Sequence, residues 1–147
     1  MGIFVNIDTA ERNDKMNFSS LVLMEKDKEN KFFTREIGSY KVSDGAEYIT
    51  KMYYDGNLVN VFFDTKKDVE EWEYTAIFDC FDYESFSEKG YNIEDVDDEY
   101  NPTWLVKFEF LPQHEEMEKR LNELCDLILE KIYKVFEDIK NKKEKYE

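Results

Sequence analysis

Several residue types on which enzymes depend are scarce in this sequence. Its 147 residues include one histidine, His114, and two cysteines, Cys80 and Cys125. General acid–base catalysis most often uses histidine, and serine or cysteine nucleophiles usually need one beside them. A structural zinc site needs four such ligands. The sequence therefore lacks a nucleophile–base set and a zinc-ligand set, which argues against an enzyme of these classes.

Glycine is also scarce, and its positions exclude the common phosphate-binding motifs. The five glycines are isolated along the chain, at Gly2, Gly38, Gly45, Gly56 and Gly90. A P-loop, a dinucleotide fingerprint and a nucleophile elbow all need closely spaced glycines. We therefore expect no cofactor.

One acidic run invites a calcium hypothesis, but it lacks the pattern of a calcium loop. Counted from Asp95, the sixth position is Tyr100 instead of glycine, and the twelfth is Val106 instead of glutamate. We expect no metal site, although binding of Mg²⁺ or Ca²⁺ by carboxylates alone is left open.

Long apolar runs are missing as well. No segment approaches the roughly 20 apolar residues that span a bilayer, and the N-terminus lacks the pattern of a signal peptide. Cys80 and Cys125 each lie in an apolar pattern, which is typical of buried thiols. We predict a cytoplasmic protein that does not bind membranes.

Positively charged residues are outnumbered by acidic ones, 20 against 35. The formal net charge is −15, whereas nucleic acids and anionic membranes select basic surfaces. The one basic cluster, Lys140 to Lys145, lies near a predicted helix C-terminus, where cations are favoured anyway. We expect no direct contact with nucleic acid.

The residues that are abundant predict a single α+β domain over 1–147. Hydrophobic residues make up 41% and aromatic residues 16% of the chain, which is enough for one core. Strand-like segments fill residues 1–111, and a helical pattern follows over 112–143. We expect an antiparallel sheet of five to seven strands with the C-terminal helix packed on one face.

The clearest hairpin signal is Asp55-Gly56 between two β-forming segments, 48–54 and 58–63. A two-residue turn there would place Met52 opposite Val59 and Tyr48 opposite Phe63. Residues 9–18 are polar and turn-like, with room for one short helix.

The C-terminal segment predicts a helix about 45 Å long, with apolar residues at helical spacing. A helix of this length would overhang a small sheet. Apolar positions near its end, such as Val135, Phe136 and Ile139, would then need cover from another chain. A homodimer through this helix is therefore as consistent with the pattern as a monomer.

The most distinctive segment runs from residue 68 to 99. It contains thirteen acidic residues and one basic residue, Lys89, so it carries −12 of the net charge of −15. It also holds seven aromatic residues: Trp72, Tyr74, Phe78, Phe81, Tyr83, Phe86 and Tyr91.

Two secondary structures compete over residues 66–83. Apolar residues at helical spacing and an N-terminal capping pattern, Asp68 with Glu71, favour a helix. The aromatic content favours a strand. We predict the helix by a narrow margin, followed by a loop over 84–102.

We expect this acidic segment to carry the function. Aromatic residues with charges around them are typical of protein interfaces, and dense carboxylates attract basic partners. The leading prediction is a non-enzymatic interaction module, of an inhibitor or immunity type, for a basic protein. Its candidate contact residues are Trp72, Tyr74, Asp79, Asp82, Glu84, Asp95, Asp97, Asp98 and Glu99.

Three alternatives stay open. The aromatic residues could simply form the core while the acidic residues keep the surface soluble. A small hydrophobic ligand could occupy a pocket between sheet and helix, lined by Trp72, Trp104, Phe108 and Leu124. Paired carboxylates such as Asp79, Asp82 and Glu84 could serve an enzyme, for instance in glycoside hydrolysis.

Overall fold

The computed structural model describes residues 3–8, 17–27, 29 and 32–147, with side chains from Ser20 onward. The strands are β1 (Ile3–Asp8), β2 (Asn17–Lys26), β3 (Phe33–Val42), β4 (Ile49–Tyr54), β5 (Val59–Asp64), β6 (Asn92–Val96) and β7 (Thr103–Phe108). The helices are a 3-10 helix (Asp44–Tyr48), α1 (Glu71–Cys80), α2 (Glu84–Glu88), α3 (His114–Ile139) and α4 (Lys143–Tyr146).

These strands form one seven-stranded, mostly antiparallel sheet. Strand β2 carries β3 on one edge, and β1 and β4 share the other. The contact of β2 with β4 is the parallel one, at Met24 and Glu25, beyond the end of β1. From β4 the sheet continues through β5 and β7 to β6. The predicted α+β class, with five to seven strands and a long C-terminal helix packed on the sheet, is confirmed.

Alternating side chains on the central strands build the core. On β5 these are Val59, Val61 and Phe63, and on β7 they are Trp104, Val106 and Phe108, all at most 2% exposed. The two sets face each other in register, because Val61 pairs with Val106 and Phe63 pairs with Trp104. Strand β7 therefore buries the side on which its sequence places the apolar residues Trp104, Val106 and Phe108.

The register of the β4–β5 hairpin differs from our prediction. Met52 pairs with Val61 instead of Val59, and Ile49 takes the place opposite Phe63. The turn has four residues instead of two, because the Asp55 N–H donates to the Leu58 carbonyl over 3.1 Å. The Asp55 carboxylate also accepts from the N–H groups of Asn57 and Leu58, each over 2.8 Å. This side-chain bonding stabilises the longer turn.

The C-terminal helix is shorter than predicted and is covered within its own chain. Helix α3 ends at Ile139, and a separate turn of helix, α4, follows. Val135 and Ile139 are 1% and 2% exposed, and Phe136 is half-buried. The need for cover that motivated the homodimer hypothesis is therefore not present, and the homodimer stays an untested prediction. Residues 9–16, where a short helix was considered, lie outside the described residues, and 17–18 belong to β2.

Gly45 fixes how closely the 3-10 helix approaches α3. A Cβ at this position would lie 1.8 Å from the Cys125 carbonyl oxygen. Side chains of α3 hold the same junction, since Asn122 accepts from the Ser43 N–H over 2.7 Å and Asp126 from the Ser43 hydroxyl over 2.9 Å. The backbones meet here without room for any side chain.

We expect Gly45→Ala to lower the free energy of unfolding by about 3 kcal/mol, because the added methyl group must push α3 away from the 3-10 helix. Gly56→Ala is the control. Nothing lies within 4 Å of a Cβ there, but its φ of +91° strains any side chain, at a cost of about 1 kcal/mol. Urea denaturation of both variants measures the difference. Equal losses would mean that the close approach at Gly45 is not a constraint.

Candidate functional site

The first part of the acidic segment is a helix, which confirms the narrow preference for a helix over a strand. Helix α1 begins with a capping box in which the Glu70 side chain accepts from the backbone of Glu73 and the Glu73 side chain accepts from that of Glu70. The cap therefore lies two residues later than the predicted Asp68–Glu71 pair. Ala76 and Ile77 are buried, so the helix packs inward along the stripe that its spacing indicated.

The second part of the segment was predicted as a loop, and this was wrong. It contains α2 and the edge strand β6, which pairs with β7 from Asn92 to Val96. Gly90 has a φ of +88° and allows the sharp turn between them. The next residue, Tyr91, then enters the core at 2% exposure. Each element is only five residues long, so its periodicity was too short to recognise in the sequence.

The aromatic residues of the segment pack on the core around Trp104. Phe81 stacks on the Trp104 ring with centroids 4.3 Å apart, and Phe78 meets it edge-on at 5.4 Å. Phe63 of the sheet stacks on Trp104 at 5.1 Å and on Phe86 at 6.0 Å. The segment therefore holds its place on the sheet largely through its own aromatic rings.

A hydrogen-bonded chain connects this aromatic cluster to the acidic surface. The Trp104 indole N–H donates to the Tyr83 hydroxyl over 3.1 Å, and that hydroxyl donates to the Asp95 carboxylate on β6. Burial and the hydrogen bond with Asp95 raise the pKa of Tyr83 above its usual value. The Asp95 side chain is exposed to solvent, but its carboxylate already has a hydrogen-bond partner within the chain.

Asp82 is engaged as well, between α1 and α2. Its carboxylate accepts from the Ser85 hydroxyl over 2.7 Å and from the Ser85 N–H over 3.1 Å. It also pairs over 3.1 Å with Lys131 of α3, whose side chain is only 9% exposed. The Ser85 hydroxyl is the main cause that lowers the pKa of Asp82 to about 2, and Lys131 adds to it.

A turn of exposed acids follows β6. Asp97, Asp98 and Glu99 are all exposed, and the Tyr74 hydroxyl donates to the Glu99 carbonyl over 2.9 Å. Burial is the largest cause that raises the pKa of Tyr74, and the charges of the three carboxylates raise it further. The three carboxylates therefore lie near the Tyr74 hydroxyl. We call Asp79, Asp95, Asp97, Asp98 and Glu99, with Tyr74 and Tyr83, the acidic face.

Asp79 and Trp72 lie where α1 meets the C-terminus. The Tyr146 hydroxyl donates to Asp79 over 3.0 Å, and the Lys142 ammonium approaches the Cys80 sulfur at 3.5 Å. A groove of about 370 Å³ lies between Trp72 and Tyr146, with acidic residues at its rim. Within the described part of the chain, the buried Trp72 indole N–H has no hydrogen-bond partner.

Most carboxylates of the acidic segment are left without a cation. Among the residues that the structure describes, the one ion pair of residues 68–99 is Asp82 with Lys131. Glu84, at the start of α2, is exposed and joins none of the contacts above. The predicted set thus divides into an acidic face, a paired Asp82, an isolated Glu84, and Trp72 in a separate groove.

Tyr100 is a surface residue that the sequence analysis did not single out. It follows the acidic turn and is 79% exposed. The next residues fix its base, because Pro102 is buried and the Thr103 hydroxyl donates to the Asn101 carbonyl over 2.8 Å. No pattern marks one tyrosine as exposed, so only the folded structure distinguishes it from the aromatic residues of the core.

The alternative pocket residues do not come together at a cleft. Trp104, Phe108 and Leu124 are at most 2% exposed and belong to the packed core, whereas Trp72 lines the surface groove beside Tyr146. A ligand among these four residues would require the core to open around Trp104. The hydrophobic-ligand hypothesis stays a prediction without a site.

The candidate catalytic groups are occupied or dispersed. The ring of His114 stacks on Tyr40 at 4.9 Å, and its Nε2 lies 2.9 Å from the Ser39 carbonyl oxygen. Cys125 is buried, Cys80 is half-buried, and both are free thiols. Among the described residues, no group of three or more His, Cys, Asp or Glu side chains could hold a metal ion. No described helix has the length and apolar character to cross a membrane.

A protein-family model matches residues 16–147 of the chain. The chain belongs to DUF6762. This is a family of unknown function. The comparisons with curated proteins and with solved structures give no significant match. Function in this DUF6762 member must therefore be argued from its own surface.

We expect Tyr83→Phe to lower the free energy of unfolding by about 2 kcal/mol, because it leaves the buried Trp104 N–H without an acceptor. Tyr74→Phe is the matched control, because it removes a hydroxyl bonded to a surface carbonyl and should cost less than about 1 kcal/mol. Chemical denaturation of both variants gives the comparison. Similar small losses in the two would show that the Tyr83 bridge is not important for stability.

A second expectation concerns pH. The pKa of Asp82 is about 2 in the folded chain against a usual 3.8. The ionised Asp82 carboxylate therefore stabilises the fold fully at pH values above 3.8. This stabilisation is lost as pH falls through the folded value. Asp82→Asn should therefore cost about 1 kcal/mol at pH 7, and its difference from the native chain should shrink between pH 5 and pH 2.

Urea denaturation across that pH range measures the difference. Glu84→Gln, which changes an unpaired carboxylate two residues away, is the control and should cost less than about 0.5 kcal/mol at pH 7. A loss for Asp82→Asn that stays constant down to pH 2 would contradict a role for the ionised Asp82 carboxylate.

Proposed function

We propose that this protein is a cytoplasmic, non-enzymatic interaction module that binds a basic protein through the acidic face. The observation that carries the proposal is that carboxylates without a neutralising cation are concentrated on one ordered surface: within the described residues, thirteen acidic residues of segment 68–99 form one ion pair. The partner is expected to supply the missing positive charge. An inhibitor or immunity-type protein, which covers the working surface of another protein, fits this role.

The arrangement of the acidic face supports the proposal. Asp97, Asp98 and Glu99 are exposed on a turn whose backbone is held by Tyr74. Tyr83 bonds Asp95 to the core through Trp104. A surface whose charges are held in place loses little conformational entropy when a partner binds, which favours affinity.

Tyr100 supplies the apolar contact that a charged surface alone lacks. It is 79% exposed beside the acidic turn, and tyrosine is enriched among the residues that dominate binding energy at interfaces. The acids around it would mainly accelerate association and select a basic partner. Tyr100 would then contribute contact area at the centre.

The decisive experiment compares charge variants that leave the fold intact. Asp97→Asn, Asp98→Asn and Glu99→Gln combined remove three exposed carboxylates without touching the bonded Asp79, Asp82 or Asp95. Asn also suits position 98, whose φ is +71°. A partner would be captured from lysate, identified by mass spectrometry, purified and titrated by calorimetry at 50 and 300 mM salt.

We expect the triple variant to bind the basic partner about 10-fold more weakly at 50 mM salt, and less so at 300 mM, because exposed charge pairs are screened. The control neutralises three exposed acids elsewhere, in Glu36→Gln, Glu109→Gln and Glu115→Gln, and makes the net charge less negative by the same amount. Equal effects of the two triple variants would show that the acidic face contributes only nonspecific electrostatic attraction. A partner that is not basic would overturn the proposal.

Tyr100→Ala tests the apolar contact separately. The side chain is exposed, so stability should change by less than about 0.5 kcal/mol, while affinity for the same partner should fall about 30-fold. Tyr133→Ala, which removes a tyrosine that is 65% exposed on α3, is the matched control and should bind normally. Unchanged affinity in Tyr100→Ala would place the contact elsewhere.

A further inference from the structure

A second surface feature has the opposite charge. A cleft of about 270 Å³ lies between the 3-10 helix, the connection from β5 to α1, and the C-terminal part of α3. We call it the lysine cleft, after Lys66 and Lys67, which line it together with Tyr48, Tyr133 and Phe136. Glu47 is the one carboxylate among the residues that line it.

The two lysines are distinguished by their shared position at one cleft. Within the described residues, neither forms an ion pair, a state that they share with other lysines such as Lys89, Lys107 and Lys119. The Lys67 ammonium lies 4.6 Å from the centre of the Phe136 ring. Lys66 and Lys67 are both exposed, so their charges are available to a ligand.

The backbone that carries these lysines is fixed in an unusual conformation. Lys66 has a φ of +57°, a left-handed conformation that glycine adopts with less strain. The Lys66 N–H donates to the Asp64 carboxylate over 2.8 Å, and the Thr65 hydroxyl donates to the Lys67 carbonyl over 3.0 Å. This bonding holds both lysines at one rim of the cleft. A lysine in place of glycine here is consistent with a use for its side chain.

The other walls of the cleft are aromatic. Tyr133 is 65% exposed and Phe136 is half-buried on the same side of α3, while Tyr48 is 8% exposed at the base. Glu47, Tyr48 and Tyr133 line the same cleft, so the three side chains lie close together. Exposed rings beside ammonium groups provide both a stacking surface and a charge for one ligand.

We propose that the lysine cleft binds a small aromatic anion, with its ring against Tyr133 and Phe136 and its acidic group at Lys66 and Lys67. The small volume of the cleft limits the ligand to one or two rings. Glu47 opposes the anionic group, which favours a pose with the charge on the lysine rim. The site is independent of the acidic face and of the proposed basic partner.

The probe is 2-naphthoate, titrated into the isotope-labelled full chain and followed by amide chemical shifts. Neutral 2-naphthamide is the matched control for charge. We expect naphthoate to shift the amides of residues 65–67 and 132–136, with a Kd on the order of 1 mM. The amide should bind at least fivefold more weakly. Shifts confined to other parts of the chain, or equal affinity of the two probes, would overturn the proposal.

Charge variants then test the lysines. Lys66→Gln and Lys67→Gln should each weaken naphthoate binding about two- to fivefold. Lys89→Gln removes the same charge from an exposed position elsewhere and should leave it unchanged. Equal effects at all three positions would show that only the net charge matters, which contradicts a built site.

Two further variants separate binding from folding. Lys66→Gly relieves the left-handed strain, so the midpoint of thermal unfolding should stay the same or rise while naphthoate binding weakens. Tyr133→Ala removes an exposed ring and should weaken naphthoate binding about fivefold without a change in stability. If naphthoate binds both variants as it binds the native chain, neither Lys66 nor Tyr133 belongs to a site.

Discussion

The packing of aromatic rings around Trp104 is the interaction on which the rest of the molecule depends. It joins a segment with a formal charge of −12 to the sheet through Phe78, Phe81 and Phe86. Burial of each large apolar side chain contributes about 1.5–3 kcal/mol, whereas two carboxylates 4 Å apart in water repel by only about 1 kcal/mol. Ring burial therefore outweighs the repulsion, and the acids can be crowded on the outside of elements that the aromatic residues hold in place.

The parts of the fold that could be predicted from the sequence are those with long periodic patterns. The stripe of α3 and the alternation of β7 repeat often enough that one side must face the core. The errors lie where a pattern is short or a side chain intervenes. Helix α2 and strand β6 have five residues each, and as an edge strand β6 carries Glu94 and Asp95 without burying them. The register of β4 on β5 was decided by the Asp55 carboxylate, which bonds two N–H groups of its own turn.

The sequence predicts which residue types make up the candidate site, but it does not predict how they are arranged. The sequence identifies thirteen acids, yet it cannot tell which of them the fold engages. Asp82 meets Lys131 and Asp79 meets Tyr146 only because α3 and α4 pack beside α1. Asp95 meets Tyr83 because β6 packs beside the start of α2. Such pairs join residues far apart in the chain, so no local pattern reports them. Within the acidic face, the acids that remain free are Asp97, Asp98 and Glu99, and they can be identified only once the tertiary contacts are known.

An unpaired charge of either sign is, by itself, weak evidence for a ligand or a partner of this chain. With 35 acidic residues and 20 lysines and arginines, many carboxylates must lack a cation whatever the function is, so free acids alone are weak evidence for a partner. Unpaired lysines are common as well, because Lys89, Lys107 and Lys119 also form no ion pair within the described residues. Other lysines cover aromatic rings on the outer side of the sheet, as Lys26 does 4.5 Å from the centre of Tyr53 and Lys51 does 5.0 Å from that of Phe62. With the residues that the structure describes, Lys66 makes neither kind of contact, and its strained backbone would be relieved by glycine. The acidic face therefore gains its weight from ordered geometry and an exposed Tyr100, and the lysine cleft gains it from the lysines and aromatic rings that line one cleft.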